Sequence, residues 1–197
     1  QEPMSALNDL AFLNISRAGL SFAAAAGVDG GGELESLKLV NASTCSDCIE
    51  SNRDIVVGVK VRLSDSLADE GRNEPEAYRR ALAAAATVGM PLMVHRSFST
   101  VPLEECPGEM AAGDIYTHCY HAYPGTIIDP STGGVHEAVK SARRNGVLFD
   151  IGHGMGAFSW TVGERCAAEG FWPDTISTDM HSLTNEGPAY DLPTVMT

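Results

Sequence analysis

Short apolar runs alternate with longer amphipathic stretches along the chain. The runs are Ala11 to Ile15, Ile55 to Leu63, Pro91 to His95, Asp114 to Cys119, Gly146 to Ile151 and Thr175 to Asp179. Their β-branched and apolar content predicts strands. Between them Tyr78, Ala81, Leu82 and Ala85 recur at helical spacing, opened by Asn73 and Pro75 and closed by Gly89. Val135, Ala138, Val139 and Ala142 repeat that spacing before Asn145 and Gly146, and Phe158, Val162 and Cys166 repeat it before Gly170. A shorter helix is predicted from Thr44 to Asn52, with Thr44 and Asp47 placed as a capping box. Ala23 to Gly32 and Tyr120 to Gly134 read as loops. Strands and helices in this alternation build an α/β domain with a parallel sheet, either a (β/α) barrel or an open doubly wound sheet.

One strand carries a residue that does not suit it. In the run Ile55 to Arg62, alternation puts Val57, Val59, Val61 and Leu63 on one face and Gly58, Lys60 and Arg62 on the other. If the valines meet helices, Lys60 points into a barrel. An ammonium buried without a partner costs several kcal/mol or loses its charge, so an anion, a metal or a chemical modification must answer it.

Composition narrows the partners. The chain has 197 residues, 44% of them hydrophobic, which suffices for one domain over 1–197. Its 13 basic and 26 acidic residues give a net charge of −13, which disfavours nucleic acid and anionic membranes and leaves a small molecule as the expected partner. A homo-oligomer is compatible with the same numbers. Five cysteines spread along the chain do not form a disulfide framework, and they point to a reducing, cytoplasmic setting. No apolar run reaches the roughly 20 residues that span a bilayer.

The polar residues at the strand ends suggest chemistry. His95, His118 and Asp179 each close a strand, and each is expected on the face opposite its apolar neighbours: His95 opposite Leu92 and Val94, His118 opposite Ile115 and Thr117, Asp179 opposite Ile176 and Thr178. In αβ barrels the active site lies at the carboxyl ends of the strands. Two imidazoles, a carboxylate and a masked lysine suit zinc or another divalent transition metal.

Taken in order, Lys60 in Val-Gly-Val-Lys-Val-Arg, His95 in Pro-Leu-Met-Val-His, His118 in Gly-Asp-Ile-Tyr-Thr-His-Cys and Asp179 in Asp-Thr-Ile-Ser-Thr-Asp resemble the amidohydrolase superfamily. Within it they are most similar to the dihydroorotase-like deacetylase branch. The likeness extends to Ala11 to Ser16, Gly146 to Gly154 and Tyr190 to Pro193. It implies a partial (β/α)8 TIM barrel with strands three to eight present, the first two strands and their His-x-His metal pair falling upstream of Gln1. It further implies that Lys60 is carboxylated by CO2 and that the carbamate bridges two divalent metal ions, zinc by preference. His95 and His118 would hold one ion and Asp179 the other. A metal-bridged hydroxide would then hydrolyse an amide or acyl ester of a small carboxylated substrate, with Asp179 as catalytic base and then acid. Deacetylation is the leading activity. A cyclic amide hydrolase of the dihydroorotase or hydantoinase type and a catalytically degenerate barrel are the alternatives, and a Schiff-base lyase using Lys60 is a third.

Other candidates carry less. Arg62 shares the face of Lys60 and is expected to clamp a substrate carboxylate or to pair with Asp150 or another barrel acid. His153, within Gly152-His153-Gly154, is expected to touch substrate or cap its loop, and His181 is a weaker substrate-side candidate. His121 reads as loop decoration or a substrate contact, and His136 as a solvated helix opener. Cys45 and Cys48 have CxxC spacing without a second pair, so helix packing is expected rather than zinc. Gly30 to Gly32 reads as a flexible turn.

Overall fold

In the computed structural model, residues 10–19, 33–181, 184 and 186–197 are described. The turn expected at Gly30 to Gly32 and the whole of the Ala23 to Gly32 loop lie outside them. Five strands form one parallel sheet: β1 (Ala11–Asn14), β2 (Val56–Leu63), β3 (Leu92–Arg96), β4 (Ile115–Thr117) and β5 (Leu148–Phe149). They lie side by side in sequence order, with every pair parallel. A doubly wound sheet reverses its strand order part-way, whereas a barrel does not, so this sheet is a section of a barrel wall.

The run expected as a sixth strand, Thr175 to Asp179, makes only one bridge, Thr175 to Asp150. It nonetheless follows the edge after β5, where Ile151, His153 and Gly154 donate their N–H groups to the carbonyls of Thr175, Ser177 and Thr178 at 3.1, 3.0 and 2.9 Å. Regular pairing fails because Gly152 and Gly154 take left-handed backbone angles, φ 51° and 55°.

Helices cover one face. They are α1 (Ala42–Glu50), α2 (Glu74–Val88), α3 (Glu137–Arg144), α4 (Trp160–Ala168) and a final turn, α5 (Leu192–Val195). α2 opens with Pro75 and two glutamates in its first turn and stops at Gly89, φ 63°, as its sequence predicts. α1 starts earlier than expected. Its cap is Asn41, whose side chain accepts from the Thr44 N–H at 2.8 Å, so the Thr44 and Asp47 box does not form. Cys45 packs inward while Cys48 is exposed, which confines the packing role to one of the pair.

The register fixes which residues share a face. Val59, Val61 and Leu63 pair with Leu92, Val94 and Arg96, and Val94 continues to Tyr116 and Phe149. This row meets the alanines and Tyr78 of α2 and is buried almost completely. The other row runs Asn14, Lys60, Met93, Ile115 and Leu148, with Arg62, His95 and Thr117 one step further along the strands. Among the described residues no helix is long and apolar enough to cross a membrane.

Candidate active site

Lys60 stands mid-strand on the inner face. Burial is the main force lowering its pKa, to about 8, while Asp179, Asp150 and Glu33 pull it back up and Arg62 pushes it further down. An amine near 8 is neutral in roughly a tenth of molecules at pH 7, far more than an ordinary lysine, and a neutral amine is the form that reacts with CO2.

His95 lies on the same face as Lys60, two positions along the sheet toward the carboxyl ends, and its Nε2 meets Ser97 Oγ at 2.8 Å. Its ring approaches that of His118 edge-on, with centroids 4.3 Å apart. Burial holds both imidazoles below their usual pKa, with their mutual repulsion also lowering His95 and Asp179 opposing the shift at His118. Neutral imidazoles are what a metal requires.

His118 reaches the site by a different route from the one alternation predicts. Thr117 pairs with His95, so Ile115 and Thr117 belong to the inner row and a regular strand would turn His118 outward. The backbone at His118 instead adopts φ 62°, which ends β4 and swings the ring back to the mouth. Its Nδ1 then meets the Gly152 carbonyl at 2.6 Å, an acceptor only, so Nδ1 carries the proton and Nε2 keeps its lone pair. Asp179, also left-handed at φ 48°, faces the same mouth.

Two glycines make room for these groups. A Cβ on Gly152 would stand 2.7 Å from His118 Nδ1, and one on Gly154 would stand 2.9 Å from Asp179 Oδ2. The segment 152–154 is thus a floor shaped to the imidazole and the carboxylate.

Of the acids expected to pair with Arg62, the structure selects one other than Asp150. Arg62 donates Nε to Glu33 at 2.7 Å, and its Nη2 stands 2.5 Å from the same carboxylate oxygen in an ion pair, so Glu33 and not Asp150 is its partner. Glu33 is fully buried and also accepts from Asn14 at 3.2 Å; burial raises its pKa, and Arg62 works against that rise. Asp150 is taken up by three hydroxyls, those of Thr117, Thr175 and Ser177, at 2.6 to 2.7 Å. It ties β4 and β5 to the last strand segment.

The remaining histidines separate. His153 is half-buried, stacked on Phe158 with Nδ1 meeting the Gly154 carbonyl at 3.0 Å. His181 is exposed, and its backbone closes a turn with Thr184. His136 caps α3, accepting from the Ala138 N–H at 3.2 Å. His121 is not loop decoration: it is fully buried and stacked on Tyr123, with neither ring nitrogen hydrogen-bonded. Burial, then the charge of Arg96, lowers its pKa to about 4. Glu33 and Ser97 were missed, and the burial of His121 was not foreseen, because these contacts arise from the packing of loops, which no periodicity encodes.

Among the described residues no three His, Cys, Asp or Glu side chains stand together as a ready-made metal cage. Two neutral imidazoles with a free nitrogen each, one carboxylate and a half-buried lysine nevertheless fit a divalent ion in chemistry, provided the lysine becomes anionic. The glycine floor fits the same reading.

Sheet order and inward donors together define a section of a (β/α) barrel whose chemistry sits at the carboxyl mouth of its strands. The structure superposes on an adenine deaminase with TM-score 0.81 and 32% identity, covering 95% of this chain and 49% of that one. It superposes on a dihydroorotase with TM-score 0.78 and 28% identity, covering 95% and 47%. By sequence the chain is 36% identical to a deacetylase of Enterococcus faecalis over 166 residues, 83% of this chain and 44% of the relative. It is 31% identical to a deacetylase of Agrobacterium fabrum over 164 residues, 83% and 40%. No family model matches. The chain spans less than half the length of these curated relatives. It belongs to the amidohydrolase superfamily, with its sequence relatives among the deacetylases.

Proposed function

We propose that the whole protein is a metal-dependent amidohydrolase that removes an acyl group, most simply acetyl, from the nitrogen or oxygen of a small carboxylated substrate. The observation that carries this is the meeting of His95 and His118, ring centroids 4.3 Å apart, on the mouth that Lys60 and Asp179 also face. The names of the sequence relatives, all deacetylases, support the choice of reaction.

Lys60, as its carbamate, His95, His118 and Asp179 would hold two divalent ions, which we read as zinc. When bound, such ions polarise a carbonyl and make water nucleophilic near neutral pH. The chain's own groups do the rest. Gly152 fixes the His118 tautomer through Nδ1, and Ser97 holds the ring of His95. Asp179 takes the proton of the attacking water at its carboxylate and returns it to the leaving nitrogen or oxygen. Arg62, held by Glu33, and His153, stacked on Phe158, would orient the substrate, with His181 as a further contact. Five cysteines without a disulfide support a cytoplasmic setting.

The test is an assay of the intact, metal-loaded protein against N-acetylated amino acids, O-acetylated hydroxy acids, dihydroorotate and hydantoins. Acetate release that disappears in Lys60→Met sustains the proposal. Ring opening without acetate release replaces it with the cyclic amide reading. A bound-metal content of zero with no turnover leaves the degenerate barrel.

A further inference from the structure

Behind the sheet, on the face away from Lys60, lies a positive charge that the proposed chemistry does not use. Arg96 pairs with Leu63 on the helix-facing row, and it is 3% exposed. Its Nε and Nη2 donate to the Val101 carbonyl and its Nη1 to the Gly125 carbonyl. No carboxylate pairs with it among the described residues. A guanidinium cannot shed its proton, so this is a buried cation met by carbonyl dipoles and by the uncharged side chains of Tyr116 and His121.

Arg96 lines a cavity of about 610 Å³ walled by Leu103, Pro124, Ile128 and Pro130, with His136 also on its lining. A second cavity, of about 270 Å³, shares Ala122, Thr126, Ile128 and Pro130 with the first and adds Arg165 of α4. Arg165 is exposed and in no ion pair among the described residues. Neither cavity is lined by any Asp or Glu among the described residues, in a chain that carries 26 of them against 13 Lys and Arg. His136 does not add to the excess: Glu104 stands 3.7 Å from it, and Asp129 and Glu137 also face it. The surplus positive potential therefore belongs to the two arginines, with apolar wall between them.

We propose that these two adjacent cavities, which share one wall, form a binding site, separate from the barrel mouth, for a small organic carboxylate with an apolar body. The exposed guanidinium fork of Arg165 matches a carboxylate in shape and charge, Arg96 adds its charge from the cavity wall while its own fork stays on the Val101 and Gly125 carbonyls, and the proline, leucine and isoleucine walls suit a body that prefers to leave water. The site does not depend on the reaction assigned to the mouth.

Benzoate is the probe, titrated calorimetrically into the intact protein at fixed ionic strength, beside inorganic phosphate. One benzoate binds per chain and raises the melting temperature. Arg165→Glu, an exposed change, weakens binding by about fivefold to tenfold without altering the melting temperature of the free protein. Ala122→Glu, which sets an internal carboxylate in the shared wall, removes binding. Lys60→Met leaves it intact. The proposal is overturned if benzoate does not bind, if phosphate binds more tightly, if Arg165→Glu and Ala122→Glu leave binding unchanged, or if Lys60→Met abolishes it, which would place the probe in the mouth.

Discussion

The two faces of one sheet divide the labour of this molecule. On the helix side, Val59, Val61, Leu63, Leu92, Val94, Tyr116 and Phe149 are all fully buried. On the inner side the neighbours of those same residues are Lys60, Arg62, Met93, His95, Ile115 and Leu148, all less buried and half of them ionisable. Each strand thus contributes to stability and to chemistry at alternate positions, a separation that side-chain alternation makes available at no cost in length. A change on one face should be read out as folding, and a change on the other as reaction.

Lys60→Met is the sharpest challenge to that division. Removing the group proposed to bind metal should lower kcat/KM by at least about a thousandfold. The melting temperature should hold or rise, because a half-buried amine gives way to an apolar chain of similar length. Steady-state kinetics with thermal melts and metal content check it, and equal losses of activity and stability would break the comparison. Leu92→Ala, one residue along in the register but on the other face, should do the converse. It should cost about 3–4 kcal/mol of stability in denaturant unfolding while the folded fraction keeps its kcat.

The five strands, their order as βα units and the inward face of His95 are legible in the sequence, since β-branched runs and a polar residue at a strand end both follow from alternation, whereas Asp179 ends no regular strand and owes its position to a left-handed backbone. His118 is legible as a residue and not as a geometry. Its inward aim depends on a left-handed turn that a histidine does not advertise. Glu33, His121 and Asn41 are illegible for a related reason: burial, ion pairing or capping reaches them through loops whose packing is decided by the whole fold. The pairing of Arg62 with Glu33 rather than Asp150 shows this most directly, because three hydroxyls had already filled Asp150.

Asp150 is the point where the faces meet, and Asp150→Asn should sharpen the boundary. An amide cannot accept from all three hydroxyls, and the loss should be about 3 kcal/mol. The accompanying loss of kcat should be partly recovered in Thr117→Val with Asp150→Asn, which removes one orphaned donor. Unfolding curves and kinetics on the pair of variants decide it.

The smallest effect concerns His121. Its folded pKa is about 4 against an ordinary 6.5, so between those values the unfolded chain binds a proton that the native one does not. Stability therefore rises with pH across this window and is lost as pH falls from 6.5 toward 4, by on the order of 2 kcal/mol. His121→Phe should flatten that part of the stability profile, measured by denaturant unfolding at a series of pH values. An unchanged slope would show that another group carries it.

The floor at 152–154 has a consequence for anyone who wishes to retarget such a catalyst. A methyl group at either glycine would collide with the imidazole or the carboxylate that it supports. Libraries aimed at new substrates belong on exposed side chains nearby, Met155 and Met180, which follow Gly154 and Asp179 in the chain, and Trp160, which packs on Phe158, and should leave both glycines untouched.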